Sequence, residues 1–305
     1  MYNGIINIYK EPGFTSHDVV GKLRGILKQK KIGHTGTLDP DAVGVLPVCL
    51  GNATKLCDML TDRSKEYVAT FRLGIVTDTQ DISGNVLAQK EVLCDKEQVL
   101  RTIKGFEGDI LQIPPMYSAL KVNGQKLVDL ARKGIVVERK ARPITIYSIS
   151  VLQDNHPEYQ ISVSCSKGTY IRTLCHDIGE KLGCGAVMTS LQRTRVGEFQ
   201  ITSSVKLSEL EKMVCSGTEL PIIPTEYIFQ KMPALQVTGD GIKGLQNGNV
   251  LTVNMVKSFR EKDSEQISMK DSQEYRVYDE KERFTAVYVW NHTARILKPV
   301  KMFFE

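Results

Sequence analysis

Apolar positions along this chain fall alternately into short β-like runs and helical stripes. Residues 5–9 form a short run, mostly apolar and rich in β-branched isoleucine, that ends at Glu11-Pro12-Gly13, which predicts a strand and a turn. Thr15 followed three residues later by Asp18 has capping-box spacing. Val19, Val20, Leu23, Ile26 and Leu27 then recur at helical intervals. Lys22, Arg24, Lys28, Lys30 and Lys31 decorate the outside and tail of that helix, either as a solvated face or as one turned to nucleic acid. Residues 31–51, punctuated by glycines and by Pro40 and Pro47, read as a long loop with a short helical piece. Long loops inside compact domains are more often functional than not.

Residues 67–73 alternate and are rich in β-branched and aromatic side chains, so they predict a strand, and a polar turn cluster follows at 77–84. Two more strands are expected at 145–152 and 159–165, separated by Asp154-Asn155-His156-Pro157. Ser166-Lys167-Gly168 then turns into a helix with Ile171, Leu174, Ile178 and Leu182 on one face, ended by Gly183. Interspersed strands and helices make residues 1–230 one α+β or α/β domain. From Pro221 the texture changes. Pro221, Pro224 and Pro233 mark a linker, and short strand-like runs follow, including 287–290 and 294–297. A small β-rich domain is expected over residues 234–305, with a charged, coreless excursion at 257–274. There is no internal repeat.

Composition sharpens this picture in two respects. With 305 residues, 41% of them hydrophobic, the chain can bury a sizeable core and global disorder is excluded. The formal net charge of +5 is localised. Residues 121–142 hold seven basic and two acidic side chains, and the other residues hold 33 of each sign. One segment therefore carries the whole excess and points to a polyanion. Seven cysteines without a CxxC spacing do not form a disulfide framework, and with no leader-like start they suggest a reducing cytoplasm. No apolar run is long enough to span a membrane, and the five histidines lack metal-ligand spacing.

Three side chains stand out for chemistry. Asp39 sits between Leu38 and Pro40 in Gly33-His34-Thr35-Gly36-Thr37-Leu38-Asp39-Pro40-Asp41-Ala42, either as a carboxylate presented to a ligand or as ordinary Asp-Pro-Asp turn chemistry. These glycines do not match the phosphate-binding GxxxxGK[ST] loop. Arg172 falls in the first turn of its helix, where a cation opposes the macrodipole; it is either simply exposed or paired with a buried carboxylate. Tyr67, at the head of its strand, is a core aromatic or a catalytic one.

These features recur in the order of a known family. KEPGFTSHDVVGKLR (10–24), KIGHTGTLDPDAVGVLPVCLGNATKL (31–56), KEYVATFRLGIVTDTQDISG (65–84), PPMYSALKVNGQKL (114–127), ARKG (131–134) and CSKGTYIRTLCHDIGEKLGCGAVMTSLQRTRVGEF (165–199) closely resemble the TruB family of bacterial tRNA pseudouridine synthases. The resemblance implies isomerisation of uridine 55 in the T loop of tRNA by a stand-alone monomer, without guide RNA, metal or organic cofactor. It implies a mixed-sheet catalytic domain and a PUA-like C-terminal RNA-binding domain. By motif, Asp39 is the catalytic aspartate. Tyr67 packs on the target base, and Arg172 pairs with Asp39 and should lower its pKa. Tyr170 and Leu191 line the base pocket, with Asp81 as a supporting polar group. His34 enters the T loop in place of flipped bases, and Lys10 and Lys55 contact phosphates. Residues 115–143, with Lys121, Lys126 and Arg132, form a mobile thumb that closes on the RNA. Val128 replaces the tyrosine usual at that point of the thumb. A non-catalytic tRNA-folding protein, a guide-dependent relative and a glycoside hydrolase are rival readings. The first is disfavoured by the presence of Asp39, Tyr67 and Arg172 together, and the other two by the basic thumb.

Overall fold

The computed structural model describes residues 1–259 and 269–304. Its main feature is a nine-stranded mixed sheet. Seven strands lie in the order Gly4–Lys10, Val43–Leu50, Ala186–Val196, Lys65–Leu73, Glu158–Cys165, Arg142–Asn155, Gly108–Gln112. Ile32–His34 pairs beside Val43–Leu50, and Phe199–Gln200 beside Ala186–Val196. The Val43–Leu50 to Ala186–Val196 join is parallel, while the other pairings along this sheet are antiparallel. Helices cover it in two places. Lys96–Lys104 and Ile171–Lys181 pack over Phe71, Tyr159 and Ile161. Ser16–Leu27 and Leu207–Ser216 close over Ile6, Ile8, Leu46 and Val48. The capping box forms as its spacing predicts: the Asp18 amide donates to Thr15 Oγ1 at 3.1 Å, and the Thr15 amide donates to Asp18 at 2.9 Å.

Most of the stretch expected to be a loop at 31–51 is sheet. Ile32–His34 and Val43–Leu50 are strands, only 35–42 remains irregular, and the helical turn lies just beyond at Gly51–Leu56. Val43–Leu50 is buried on both faces, so its sequence is a continuous apolar run rather than an alternating one. Gly44 is a packing requirement: a β-carbon there would lie 2.2 Å from the Arg193 carbonyl oxygen of the neighbouring strand.

The C-terminal part is β-rich. Six strands run in the order Leu251–Thr252, Ile296–Met302, Phe284–Asn291, Glu274–Tyr278, Ala234–Val237, Val256–Ser258, over a core of Leu235, Val277, Tyr288, Trp290 and Leu297. Residues 260–268 of the expected charged excursion lie outside the described residues. A separate apolar cluster joins the two sheets: Phe229, Val287 and Phe303 pack with Ile5, Val45 and Cys49. The molecule is α+β with a mixed sheet and a β-rich C-terminal part. Among the described residues no helix is long and apolar enough to cross a membrane.

The basic segment leaves the sheet after Gly108–Gln112 and returns at Arg142. It contains a hairpin, Lys121–Val122 with Gln125–Lys126, and a short helix, Leu127–Ala131. Asn123 and Gly124 both have positive φ, 50° and 82°, which suits a two-residue hairpin turn. Leu127 and Leu130 anchor the helix by burial, while Lys121, Lys126, Arg132 and Lys133 are exposed.

Candidate active site

Residues 35–42 are fastened from several sides. The Leu38 amide donates to Ser16 Oγ at 2.9 Å, and Leu38 itself is buried. The Lys10 ammonium donates to the carbonyls of Pro40 (2.7 Å), Ala42 (2.6 Å) and Glu11 (3.2 Å). Between these anchors Asp39 stands with 38% of its side chain open to solvent. Arg172 meets it with two prongs, Nε to Oδ2 at 3.0 Å and Nη2 to Oδ1 at 3.2 Å.

Arg172 is nearly buried and connects four segments. Besides Asp39, it donates to Asp81 Oδ2 at 3.2 Å, the Thr79 carbonyl at 3.0 Å and the Tyr117 carbonyl at 2.9 Å. Asp81 also accepts from the hydroxyls of Thr79 (2.7 Å) and Ser83 (2.6 Å). The unfavourable place of Arg172 at a helix start is therefore offset by carboxylates and carbonyls from other parts of the chain. The root of the basic segment, at Tyr117, is tied into the same network.

Protein crowds Asp39 on its closed sides, and this desolvation raises its carboxyl pKa above the ordinary 3.8; Arg172 opposes the rise and Asp81 adds to it. The sequence motif predicts the opposite direction, set by the arginine. Burial outweighs it, because Asp39 lies against Leu38, Ala42 and a second carboxylate as well as a cation. Tyr67 and Leu191 share the core cluster that contains Leu38 and Ala42. Burial likewise raises the Tyr67 phenol, and the Arg193 guanidinium pulls it back. Tyr170, half-buried, precedes Ile171–Lys181 and is locked by Gln112, which exchanges two hydrogen bonds with its backbone at 2.8 and 3.0 Å. Burial raises its phenol too.

Three basic positions behave differently. The half-buried His34 ring ends its strand, accepts the Gly36 amide at Nδ1 (3.3 Å), and has its pKa pushed below 6.5 by burial, so it is neutral at pH 7. Lys10 is a phosphate contact by motif, but here it is 0% exposed and its donors are taken by the three carbonyls. Burial lowers it to about 8, and its place is beneath the Asp39 loop rather than on the RNA surface. Lys55 is exposed, as a phosphate contact requires, and donates to the Met302 carbonyl of the C-terminal sheet at 2.8 Å.

Sequence reading missed Arg193. It is 1% exposed on Ala186–Val196, donates through Nε to the Val45 carbonyl at 2.7 Å, and lies opposite Tyr67 in the strand register. An arginine in QRTR carries no local sign of burial. The one available signal was Gly44, whose missing side chain lets the Arg193 strand approach.

Comparison with known proteins places the whole chain in one family. Residues 24–171 match the TruB family pseudouridylate synthase N-terminal domain, and 172–228 match the tRNA pseudouridylate synthase B C-terminal domain. A tRNA pseudouridine synthase B from Lachnoclostridium phytofermentans is 51% identical over 311 residues, covering 99% of both chains. One from Alkaliphilus oremlandii is 43% identical over 305 residues, again covering 99% of both. Among solved structures, a Cbf5-Nop10-Gar1 complex superposes with a TM-score of 0.71 at 29% identity, covering 99% of this chain and 85% of that one. An H/ACA RNP bound to a substrate RNA gives 0.71 at 26% identity with the same coverage. The chain belongs to the TruB family of tRNA pseudouridine synthases.

Proposed function

We propose that this enzyme converts uridine 55 in the T loop of tRNA to pseudouridine, with Asp39 as the catalytic aspartate. The observation that carries this reading is the two-pronged Arg172–Asp39 pair, which leaves a partly open carboxylate beside Leu38 and Ala42, whose core cluster also holds Tyr67 and Leu191. In the reaction the N1–C1′ bond breaks, the C5–C1′ bond forms, C5 loses a proton and N1 gains one, so the product is an isomer of the substrate. A fixed carboxylate near C1′ and C6 and an aromatic ring against the detached uracil meet that need. Arg172 aims the carboxylate; Tyr67, Tyr170 and Leu191 enclose the base and exclude water. Target bases must leave their stack at a cost of a few kcal/mol, and the neutral His34 ring is suited to stack in the vacated place.

The exposed lysines and arginines at 121–133 fit phosphates of the T arm, which supports binding of tRNA by a stand-alone monomer without a guide strand. A PUA-like C-terminal sheet would extend that surface. Unmodified tRNA transcript incubated with the enzyme should acquire pseudouridine at position 55, and Asp39→Asn should bind the transcript but leave it unmodified. Modification by Asp39→Asn, in protein free of wild-type enzyme, would remove Asp39 from the chemistry.

A further inference from the structure

Besides Arg172, three buried cations flank the Asp39 loop or lie on the Tyr67 strand and its neighbour: Lys10, Lys65 and Arg193. Lys10 is satisfied by carbonyls, as is Lys65, which donates to those of Thr61 and Arg63. Arg193 is not. Its Nη2 has no hydrogen-bond partner, and it has no ion-paired carboxylate among the described residues. An uncompensated buried guanidinium is a costly way to fill space. Its position explains why one is there. Arg193 faces Tyr67 across one strand pairing and Gly44 across the other, and Gly44 has no room for a side chain. The guanidinium is thereby delivered under residues 35–42, where Nη1 approaches the Thr37 carbonyl at 3.4 Å and Gly36 lies alongside. Tyr67 is its cross-strand neighbour, and the nearby guanidinium acts on the Tyr67 phenol electrostatically.

We propose that Arg193 is a positioning residue for this reaction: one buried guanidinium, carried on the strand that pairs with Tyr67, bridges the Val45 carbonyl and the Thr37 carbonyl, two residues ahead of Asp39, and holds carboxylate and ring at their working separation. The proposal rests on Asp39 and Tyr67 being the reacting pair. Arg193 touches neither the RNA nor the reacting atoms, so its effect belongs on the rate with bound tRNA and not on affinity.

Arg193→Lys keeps the charge but not the planar fork that can bridge two acceptors. It should bind tRNA within about threefold of the unaltered enzyme, because phosphate contacts dominate affinity. Its single-turnover rate at saturating enzyme should fall about 100-fold, as expected for a catalytic group displaced by about 1 Å. Arg193→Gln should show the same split. Val196→Ala, in the same strand but in the cluster facing the C-terminal sheet, is the control. It should lower the melting temperature through poorer packing while its single-turnover rate stays within about threefold. Near-wild-type turnover by Arg193→Lys would overturn the proposal. So would a rate loss that Val196→Ala reproduces at an equal fall in melting temperature, or the failure of both Arg193 variants to fold, since either assigns the residue to stability alone. Each of these results leaves the Asp39 reading standing, because that reading fails only if Asp39→Asn remains active.

Discussion

At the residue scale, Asp39 is pulled in two directions: desolvation and Asp81 raise its pKa, and Arg172 lowers it. A carboxylate with a raised pKa is ionised only above that raised value, so activity that needs the anion is lost as pH falls through it. The acid limb of the single-turnover rate against pH should therefore lie above 3.8, and removing Arg172 should move it further up. A limb at or below the ordinary carboxylate value would show that the guanidinium wins after all. Arg172→Lys separates charge from geometry. Lysine cannot reproduce the paired contacts at 3.0 and 3.2 Å while also holding Asp81 and the Tyr117 carbonyl. Its rate on bound tRNA should fall by roughly 100-fold with tRNA affinity little changed; turnover near the wild-type rate would mean that charge alone matters. Asp39 and Arg172 were legible because their motifs are specific and their polarity demands partners. Lys10 is misplaced and Arg193 missed because burial of a cation against main-chain carbonyls, complete for Lys10 and partial for Arg193, leaves no mark on the sequence around it.

At the element scale, the helix at 171 and the alternating strand at 67 were readable from periodicity, since each exposes one face and buries the other. Val43–Leu50 was not, because a strand buried on both faces has no period to detect and its glycine and proline suggest a loop. The basic segment makes a separate prediction. Its Asn123-Gly124 turn and buried Leu127 and Leu130 give it internal order, while Lys121, Lys126, Arg132 and Lys133 point to solvent. Neutralising these four together should weaken tRNA binding. It should also make its salt dependence shallower, by roughly 0.7–0.9 in the slope of log K against log[salt] for each phosphate that is no longer neutralised. Arg139 is a poorer choice for such a variant, because it donates to the Pro114 carbonyl at 3.0 Å and serves the segment's own fold. An unchanged slope between about 50 and 200 mM salt would assign the segment to solvent rather than phosphate.

At the scale of the whole molecule, the two sheets are fused rather than strung on a loose linker. The proline-marked stretch at 221–233 contributes Phe229, which is 1% exposed and packs against the rings of Phe284 and Phe303 at 5.6 and 5.7 Å. Ile5 and Ile223 exchange backbone hydrogen bonds, and Lys55 donates to the Met302 carbonyl of the C-terminal sheet. The shared cluster extends through Val45 and Cys49 into the strand that leaves the Asp39 loop. Disturbing it should therefore be felt as stability across both parts. Phe229→Ala removes a ring from a packed site and should destabilise by about 3–5 kcal/mol, close to the whole stability of a marginal domain. Thermal unfolding should begin earlier, with the C-terminal sheet released before or together with the catalytic part. Asp39, Arg172 and the basic segment lie outside this cluster, so well below the midpoint the variant should still modify bound tRNA at close to the wild-type rate. Unfolding at the wild-type temperature would show that the phenylalanine cluster contributes little, and the two sheets would then have to be held by their hydrogen bonds alone.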